Sequence, residues 1–469
     1  MPPHTASKGA EAKVTAVLAN DAKKRAKSDV ADAEKAPGFS DLLFLEKASF
    51  LGGLVMLLVL VPLVGSVVAT AVLWDAVDRC FMGRPLDGVL MSLASKINKV
   101  THGWNQHFVR RAEDSYMVNA IILLGGVVPA MWGYCLYQTM THGFDARLCF
   151  VYHVLRIGPY FMNFAYVYTL CHKEGHSRMG LWKPRYGVLN NIFNWWIGLF
   201  YGVLPSSFAY GHSINHHKYN NGPHDVISTA DKARDSWVNL VAYLPRWTCY
   251  AINLSTTWQF YKEGNKPIAI KMVTGSLWWF GFYFLVHSYN AQFAIWYTLF
   301  PLGENILLLA CVNWCWHAFL NPDDPTDDFV GSITIFDGPI NVLNEDFHVV
   351  HHQYPGAHWT EHPKLYQKHK DSGEYSEHVA SAFRNTHAFE LFFLIILREY
   401  DVMADKFVNM SQKQLTRDQI KDLIKTRLRT CWWGHRANLK SHLVGKEIGN
   451  LMDGKPFLAK TGAEAKKDQ

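Results

Sequence analysis

Histidines occur in close clusters between residues 172 and 352 of the chain, at spacings that suit the binding of a metal. In the last cluster, His348, His351 and His352 stand at positions i, i+3 and i+4. On a helix these three imidazoles project from one face. Imidazole is the commonest metal ligand among side chains, so such a face can give several nitrogens to one metal site.

Three further clusters have the same character. They are an H-x-x-x-H pair, an H-x-x-x-H-H triplet and an N-x-x-x-H pair, formed by His172 and His176, by His212, His216 and His217, and by Asn313 and His317. One such pair is weak evidence, but adjacent imidazoles repel each other when protonated and gain little from packing. The clusters together therefore favour metal binding. Structural or solvated roles are assigned to the other histidines, among them His153, His224, His287, His358 and His362.

The number of histidines indicates more than one metal. The clusters supply nine imidazole nitrogens, whereas a structural zinc site takes about four ligands. Two metals of higher coordination number, with positions left open for oxygen, match this supply better. The sequence has no H-E-x-x-H motif of a zinc protease. Imidazole suits iron, zinc and copper alike, so the spacing alone leaves the metal open.

The composition indicates an integral membrane protein. Of 469 residues, 49% are hydrophobic, 14% are aromatic and only 18% are charged. Soluble domains carry about 25% charged residues. The formal net charge is +6, and the basic residues form no continuous nucleic-acid-binding face. We therefore predict a lipid bilayer, and no nucleic acid, as a partner.

The apolar segments predict an all-α integral membrane protein with two spanning helical hairpins. Crossing the bilayer needs about 20 apolar residues. Residues 116–140 and 148–171 form one predicted hairpin, and residues 268–287 and 293–317 form the other. Both return the chain to the face that carries the histidine clusters. The segments 188–205 and 237–258 are predicted to be interfacial helices.

Four regions are expected along the chain. Residues 1–47 form a disordered polar tail, and residues 48–115 contain an apolar segment and a basic loop. The positive-inside rule places both the tail and the loop in the cytosol. The segment 48–74 is therefore predicted to re-enter the membrane around Pro62 and Gly65.

The histidine-rich domain covers 116–363. The C-terminal region, 364–469, includes an apolar stretch at 388–398, too short to span, and an amphipathic helix over 416–429 capped by Thr416 and Gln419.

The order of the histidine clusters between two hairpins resembles the membrane-bound fatty-acid desaturases and related hydroxylases, over about residues 116–363. The flanks His216-His217-Lys218-Tyr219-Asn220 and His351-His352-Gln353-Tyr354-Pro355 are also similar to that family. The resemblance implies a non-haem diiron centre that uses O2 to desaturate a fatty acyl chain. It implies that Asn313 holds a metal-bound water and that the iron ligands are His172, His176, His212, His216, His217, His317, His348, His351 and His352.

Some parts of the sequence depart from the pattern of this family. The last cluster begins with His348 rather than Gln, unlike front-end desaturases, and the interior of the first cluster, Lys173-Glu174, does not identify a subgroup. No His-Pro-Gly-Gly haem motif is present, so a separate cytochrome b5 or ferredoxin-type protein is expected to supply electrons. The acyl carrier stays open. Lys466 and Lys467 are similar to a dilysine signal, which predicts the endoplasmic reticulum with the metal site facing the cytosol.

Two alternatives accompany the desaturase interpretation. A lipid hydroxylase would use the same scaffold and differ only in the fate of the carbon radical. A metal-binding membrane transporter would instead place histidines or acids along a pore within the spans. The three clusters that contain two or more histidines lie outside the predicted spans, which favours an enzyme.

Overall fold

In the part of the chain that the structure describes, three helices are long and apolar enough to cross a membrane. They are Ala112–His142, Lys266–Tyr289 and Ala291–Trp316. The first overlaps one arm of the first predicted hairpin, and the other two overlap the two arms of the second. Each of these helices coincides with a long apolar stretch of sequence. In a bilayer the backbone N–H and C=O groups of such a stretch find no water, so they must bond to each other within a helix.

The structure is a computed structural model that describes residues 46–59, 65, 69, 73, 92–158, 161–177, 179–412 and 414–432. The polar tail before residue 46, the re-entry around Pro62 and the dilysine end lie outside the described residues. Within the basic loop predicted for 75–115, Ser92–Asn105 is a helix. Its Ile97, Val100 and Trp104 are exposed at helical spacing.

The second arm of the first hairpin differs from the prediction. In place of one helix over 148–171, the chain forms Ala146–Ile157 and Met162–His176. Gly158 ends the first part with φ +73°, and Phe161 precedes the second with φ 62°. A Cβ on Gly158 would lie 2.7 Å from the side chain of Asn163, so this position requires glycine. Neither part reaches the length of a membrane span.

The helices used below are labelled in chain order. They are α1 (46–59), α2 (Ser92–Asn105), α3 (Tyr116–Ile122), α4 (Val128–His142), α5 (Ala146–Ile157), α6 (Met162–His176), α7 (Ile192–Trp195), α8 (Trp237–Ala251), α9 (Leu254–Lys262), α10 (Lys266–Tyr289), α11 (Phe300–Trp316), α12 (His348–Gln353), α13 (His362–Asp371), α14 (Ala388–Leu397), α15 (Tyr400–Lys406) and α16 (Arg417–Arg429). Short α turns lie at His217–Tyr219, Ala291–Ala294, Asp328–Gly331 and Glu374–Glu377.

The fold is mostly helical, as predicted, and the described residues also include one short pair of strands. Strands β1 (Thr334–Phe336) and β2 (Ala382–Arg384) pair in parallel, with Ile335 opposite Phe383. Both of these side chains are buried, which explains why so short a pair persists. The pair joins the segment before α12 to the C-terminal region. It therefore helps to hold the last histidine cluster against the rest of the protein.

The C-terminal region packs onto the core. Thr416 and Gln419 form the predicted capping box at the start of α16. At the other end of this helix, the buried Arg427 donates to the carbonyls of Val379 and His378. Arg234, also buried, donates to the carbonyl of Arg427 at 2.7 Å. Buried guanidinium groups need several acceptors, so these contacts keep α16 in one position.

Candidate metal centre

Four segments, distant in sequence, bring the clustered histidines to one place. The last turns of α6 carry His172 and His176. A π-helix, Ser207–His216, carries His212 and His216 and is followed directly by His217. The wider turn of a π-helix is rare and often occurs at functional sites. His317 caps the end of α11, and α12 carries the last three histidines.

One group contains five imidazoles whose ligand atoms all lie within 4.8 Å of one another. Its members are His172, His176, His212, His217 and His351. The Nε2 atoms of His172 and His212 are 2.7 Å apart, and those of His212 and His217 are 2.9 Å apart. We call this set the five-histidine group.

A second group lies beside the first. His216, His317 and His352 place their ligand atoms within the same distance of one another, and we call them the three-histidine group. The Nε2 atoms of His216 and His317 are 3.1 Å apart. His348 falls outside the two groups but adjoins the second, with its Nε2 3.3 Å from that of His317. All nine predicted histidines therefore converge.

Carboxylates and a carbonyl lie behind three of these rings. The Nδ1 atom of His216 is 2.7 Å from Asp225, that of His172 is 3.1 Å from Glu345, and that of His317 is 3.1 Å from the carbonyl of Gly331. An acceptor at Nδ1 leaves Nε2 as the free ligand nitrogen. No spacing rule pointed to Asp225, Glu345 or Gly331, because their positions depend on how the loops fold.

The chemistry of the donor set fits metal ions. Among the described atoms, Nδ1 of His217, Nε2 of His351 and both ring nitrogens of His352 are buried and have no hydrogen-bond partner. Burial lowers the pKa of His351 and His352 well below the ordinary value, and neighbouring imidazoles lower it further. Burial also lowers the pKa of His317 to about 3. Neutral imidazoles keep the lone pairs that a metal needs.

Asn313 lies close to the group but faces protein atoms. Its Nδ2 donates to the hydroxyl of Tyr243 at 2.9 Å and to the carbonyl of Ile227 at 3.3 Å. Its predicted role in holding a metal-bound water stays a prediction. Of the other histidines, His358 is 3.1 Å from Asp114, and His362 is buried with its ring centroid 5.8 Å from that of His351.

An apolar cavity opens onto both groups. It has a volume of about 100 Å³ and is partly open to solvent, and its wall includes His172, His212, His216, His317 and His348. Most of the remaining wall is apolar, with Leu204, Phe208, Trp247, Leu309 and Val312 among its residues. Along α11 the wall runs from His317 back to Asn305. That is about 18 Å at roughly 1.5 Å per residue.

The comparisons with known proteins agree with this arrangement. The family model described as fatty acid desaturase matches residues 148–384, just over half of the chain, and this segment contains all nine histidines. No curated protein and no solved structure matches the chain. Members of the matched family are membrane oxidoreductases of the non-haem diiron type. With these three apolar helices and two groups of converging imidazoles, the chain belongs to the membrane fatty acid desaturase and hydroxylase family.

Proposed function

We propose that this protein uses O2 to introduce a double bond into a lipid-linked or CoA-linked fatty acyl chain at a non-haem diiron centre. One observation carries the proposal: two adjacent groups of buried imidazoles open onto one elongated apolar cavity. The imidazoles would hold two iron ions, and the cavity would hold the alkyl chain beside them. An apolar wall suits an alkyl chain because burying its methylenes is favourable.

The proposed reaction consumes one O2 for each double bond that it forms. Two hydrogens leave adjacent carbons of the acyl chain as one C–C single bond becomes double. Two electrons come from a separate donor protein and two protons come from solvent, and one O2 is reduced to two waters. When bound, the iron ions supply the oxidising power that an unactivated C–H bond requires. The protein residues position the chain and keep bulk water away from it.

Distinct residues would carry out these tasks. The five-histidine and three-histidine groups, with His348, would hold the metal ions. Phe208 and Trp247 would contact the alkyl chain as part of the cavity wall. Glu345 also lines the cavity and lies 3.1 Å from Nδ1 of His172, so it would fix the orientation of that ring. Asn313 would hold a metal-bound water and so act on the metal without binding it directly.

Two alternatives make different predictions. A hydroxylase would yield an alcohol, with one oxygen atom of O2 retained in the lipid. A metal transporter would need an acid or histidine along a path through the membrane. Glu304 does lie in the apolar helix Ala291–Trp316, but it is fully buried and paired with Arg156. This pairing favours a structural role for Glu304.

The cellular setting belongs to the same proposal. We place the protein in the endoplasmic reticulum with the histidine groups facing the cytosol, where a cytochrome b5 or ferredoxin-type protein would deliver electrons. The support for this setting is the basic N-terminal regions, which the positive-inside rule places in the cytosol, and the lack of a His-Pro-Gly-Gly haem motif in the sequence.

Lipid product analysis tests the proposal. The wild-type protein, expressed in a host membrane with O2, should add a new double bond to host acyl chains. His217→Ala and His352→Ala should abolish this product while the protein still inserts in the membrane. His287→Ala is the matched control, because His287 is exposed on α10 and outside both groups. A hydroxylated product would favour the first alternative, and full activity in both cluster variants would refute the metal assignment.

A further inference from the structure

Two buried carboxylates stand behind the two histidine groups, one behind each. Glu345 is 3.1 Å from Nδ1 of His172, which belongs to the five-histidine group. Asp225 is 2.7 Å from Nδ1 of His216, which belongs to the three-histidine group. Glu345 is 5% exposed and Asp225 is 4% exposed, so water screens neither contact.

Lys173 connects the first of these carboxylates to the histidine motif itself. It occupies the interior of the H-x-x-x-H pair and forms an ion pair with Glu345. Both side chains are buried, and an unpaired buried charge would cost several kcal/mol. The lysine therefore stabilises a carboxylate at the one place where it can contact His172.

The neighbouring residue of the motif has a different task. Glu174 accepts hydrogen bonds from the backbone N–H of Asn194 at 2.8 Å, from its side chain at 2.7 Å and from the backbone N–H of Phe193 at 3.2 Å. These contacts fix the turn of α7 and involve no histidine. Of the two residues inside the motif, Lys173 contacts Glu345 beside the metal centre, whereas Glu174 contacts α7 on the side away from it.

We propose that Glu345, held by Lys173, is the positioning residue of the five-histidine group, and that Asp225 is the positioning residue of the three-histidine group. This inference rests on the proposed function in one respect, that the groups bind metal ions. Asp225 accepts the Nδ1–H of His216, and the Glu345 carboxylate lies within ion-pair distance of Nδ1 of His172, so that in each ring Nε2 keeps its lone pair and points into its own group. Each carboxylate therefore sets the affinity of one metal position and not of the other.

The two carboxylates differ in their other contacts. Asp225 also accepts from the backbone N–H groups of Asn221 and Ile227, each at 3.0 Å, so it shapes its own loop as well. For Glu345 the structure gives the contacts with His172 and Lys173. Replacement of Glu345 is therefore the cleaner measure of positioning. A replacement of Asp225 combines positioning with loop stability.

Metal uptake by the full-length protein tests the inference. Metal-free protein in detergent is titrated with Co2+, and the visible spectrum and the bound metal per chain are followed. Wild-type protein should show two binding steps. Glu345→Gln should weaken one step by about 10- to 100-fold, the usual effect of losing such a partner. Asp225→Asn should weaken the other step. The matched control, Glu174→Gln, should change neither, although it removes an equally buried carboxylate beside the same histidines.

Further variants keep the result decisive if one of them misfolds. Glu345→Gln leaves Lys173 without its ion pair, so the double variant Lys173→Met with Glu345→Gln should fold and show the same selective loss. Equal shifts in both steps, or the same shift in Glu174→Gln, would overturn the inference and indicate a general effect on stability. If the wild-type protein binds no metal while these variants fold normally, the proposed function fails and the inference falls with it.

Discussion

At the scale of single residues, Asn313 and His317 show how four residues of spacing can separate two roles. Asn313 lies on the last turn of α11 and His317 caps the end of that helix, and both residues are buried. His317 directs Nε2 into the three-histidine group, whereas Asn313 donates to Tyr243. A ligand nitrogen and a hydrogen-bonded amide should respond differently to removal.

Replacement of these two residues should separate metal content from rate. We expect His317→Ala to lose bound iron from the three-histidine group together with activity. Asn313→Ala should keep most of its iron yet lose much of the rate, because it acts through a held water or through Tyr243. Iron per chain and product yield are measured side by side, with Tyr243→Phe as a control for the amide contact. If both variants keep iron and the wild-type rate, the pair is structural.

The cavity wall makes a prediction about substrate length. Leu309 lines the cavity on α11, two turns before His317. Leu309→Trp should fill the part of the cavity farther from the histidines and lower the product from long acyl chains by about 10-fold, since one large clash costs roughly 1–3 kcal/mol. Product from shorter chains should persist. Leu277→Trp is the control, because Leu277 is 68% exposed on α10. An equal loss at every chain length would contradict this role for the wall.

At the scale of elements, irregular backbone accompanies the site. The break between α5 and α6 sets the direction of the helix that carries His172 and His176. The π-helix Ser207–His216 begins at Ser206, whose φ is 74°, and ends beside His217. A regular helix would project the residues of this segment at different angles. The break between α5 and α6 and the π-helix therefore occur where the backbone must orient the histidine side chains toward the site.

The cap of α14 gives a prediction about pH. Nδ1 of His387 accepts from the backbone N–H of Glu390 at 3.4 Å, and burial lowers the pKa of His387 below its ordinary value. Below about pH 6.5, the His387 imidazole binds a proton more readily in the unfolded chain than in the folded one. The free energy of unfolding should therefore decrease as the pH is lowered. Protonation removes the acceptor, and the loss of a cap costs about 1 kcal/mol.

Thermal unfolding in detergent between pH 7.5 and 5.5 measures this effect. His387→Asn keeps a capping side chain but removes the titrating group. Its midpoint should depend less on pH than that of the wild-type protein over this range. Identical pH profiles for the two proteins would exclude His387 as a contributor.

At the scale of the whole molecule, the two histidine groups join segments from residue 172 to residue 352. Helices α6, α11 and α12 and the π-helix each supply ligand atoms, so a bound metal would connect them all. A ligand that binds only the folded state stabilises it by mass action.

Removal of metal should therefore destabilise the protein. Chelation should lower the midpoint of thermal unfolding, and restored iron at 100 times its dissociation constant should contribute about 2.7 kcal/mol. Limited proteolysis should show earlier cleavage near α12 in the metal-free form. The variant His217→Ala should respond less to chelator than the wild-type protein. A midpoint that is independent of metal in the wild-type protein would contradict metal binding at these groups.

Much of this protein could be predicted from local sequence. The histidine spacings located every member of the two groups, because residues three and four apart share one face of a helix. Apolar length identified the helices 112–142, 266–289 and 291–316. The capping box of Thr416 and Gln419 was equally local. Each of these properties depends on residues close together in the chain, and helix geometry alone relates them.

Only the tertiary structure decided how the histidines are divided. His216 and His217 are adjacent in sequence yet belong to different groups, and so do His351 and His352. Successive residues project about 100° apart around a helix, so neighbours can face two different sites. The partners Glu345 and Asp225 and the break at Gly158 were also beyond local patterns. They depend on which distant segments pack together, and that choice is made by contacts across the whole fold.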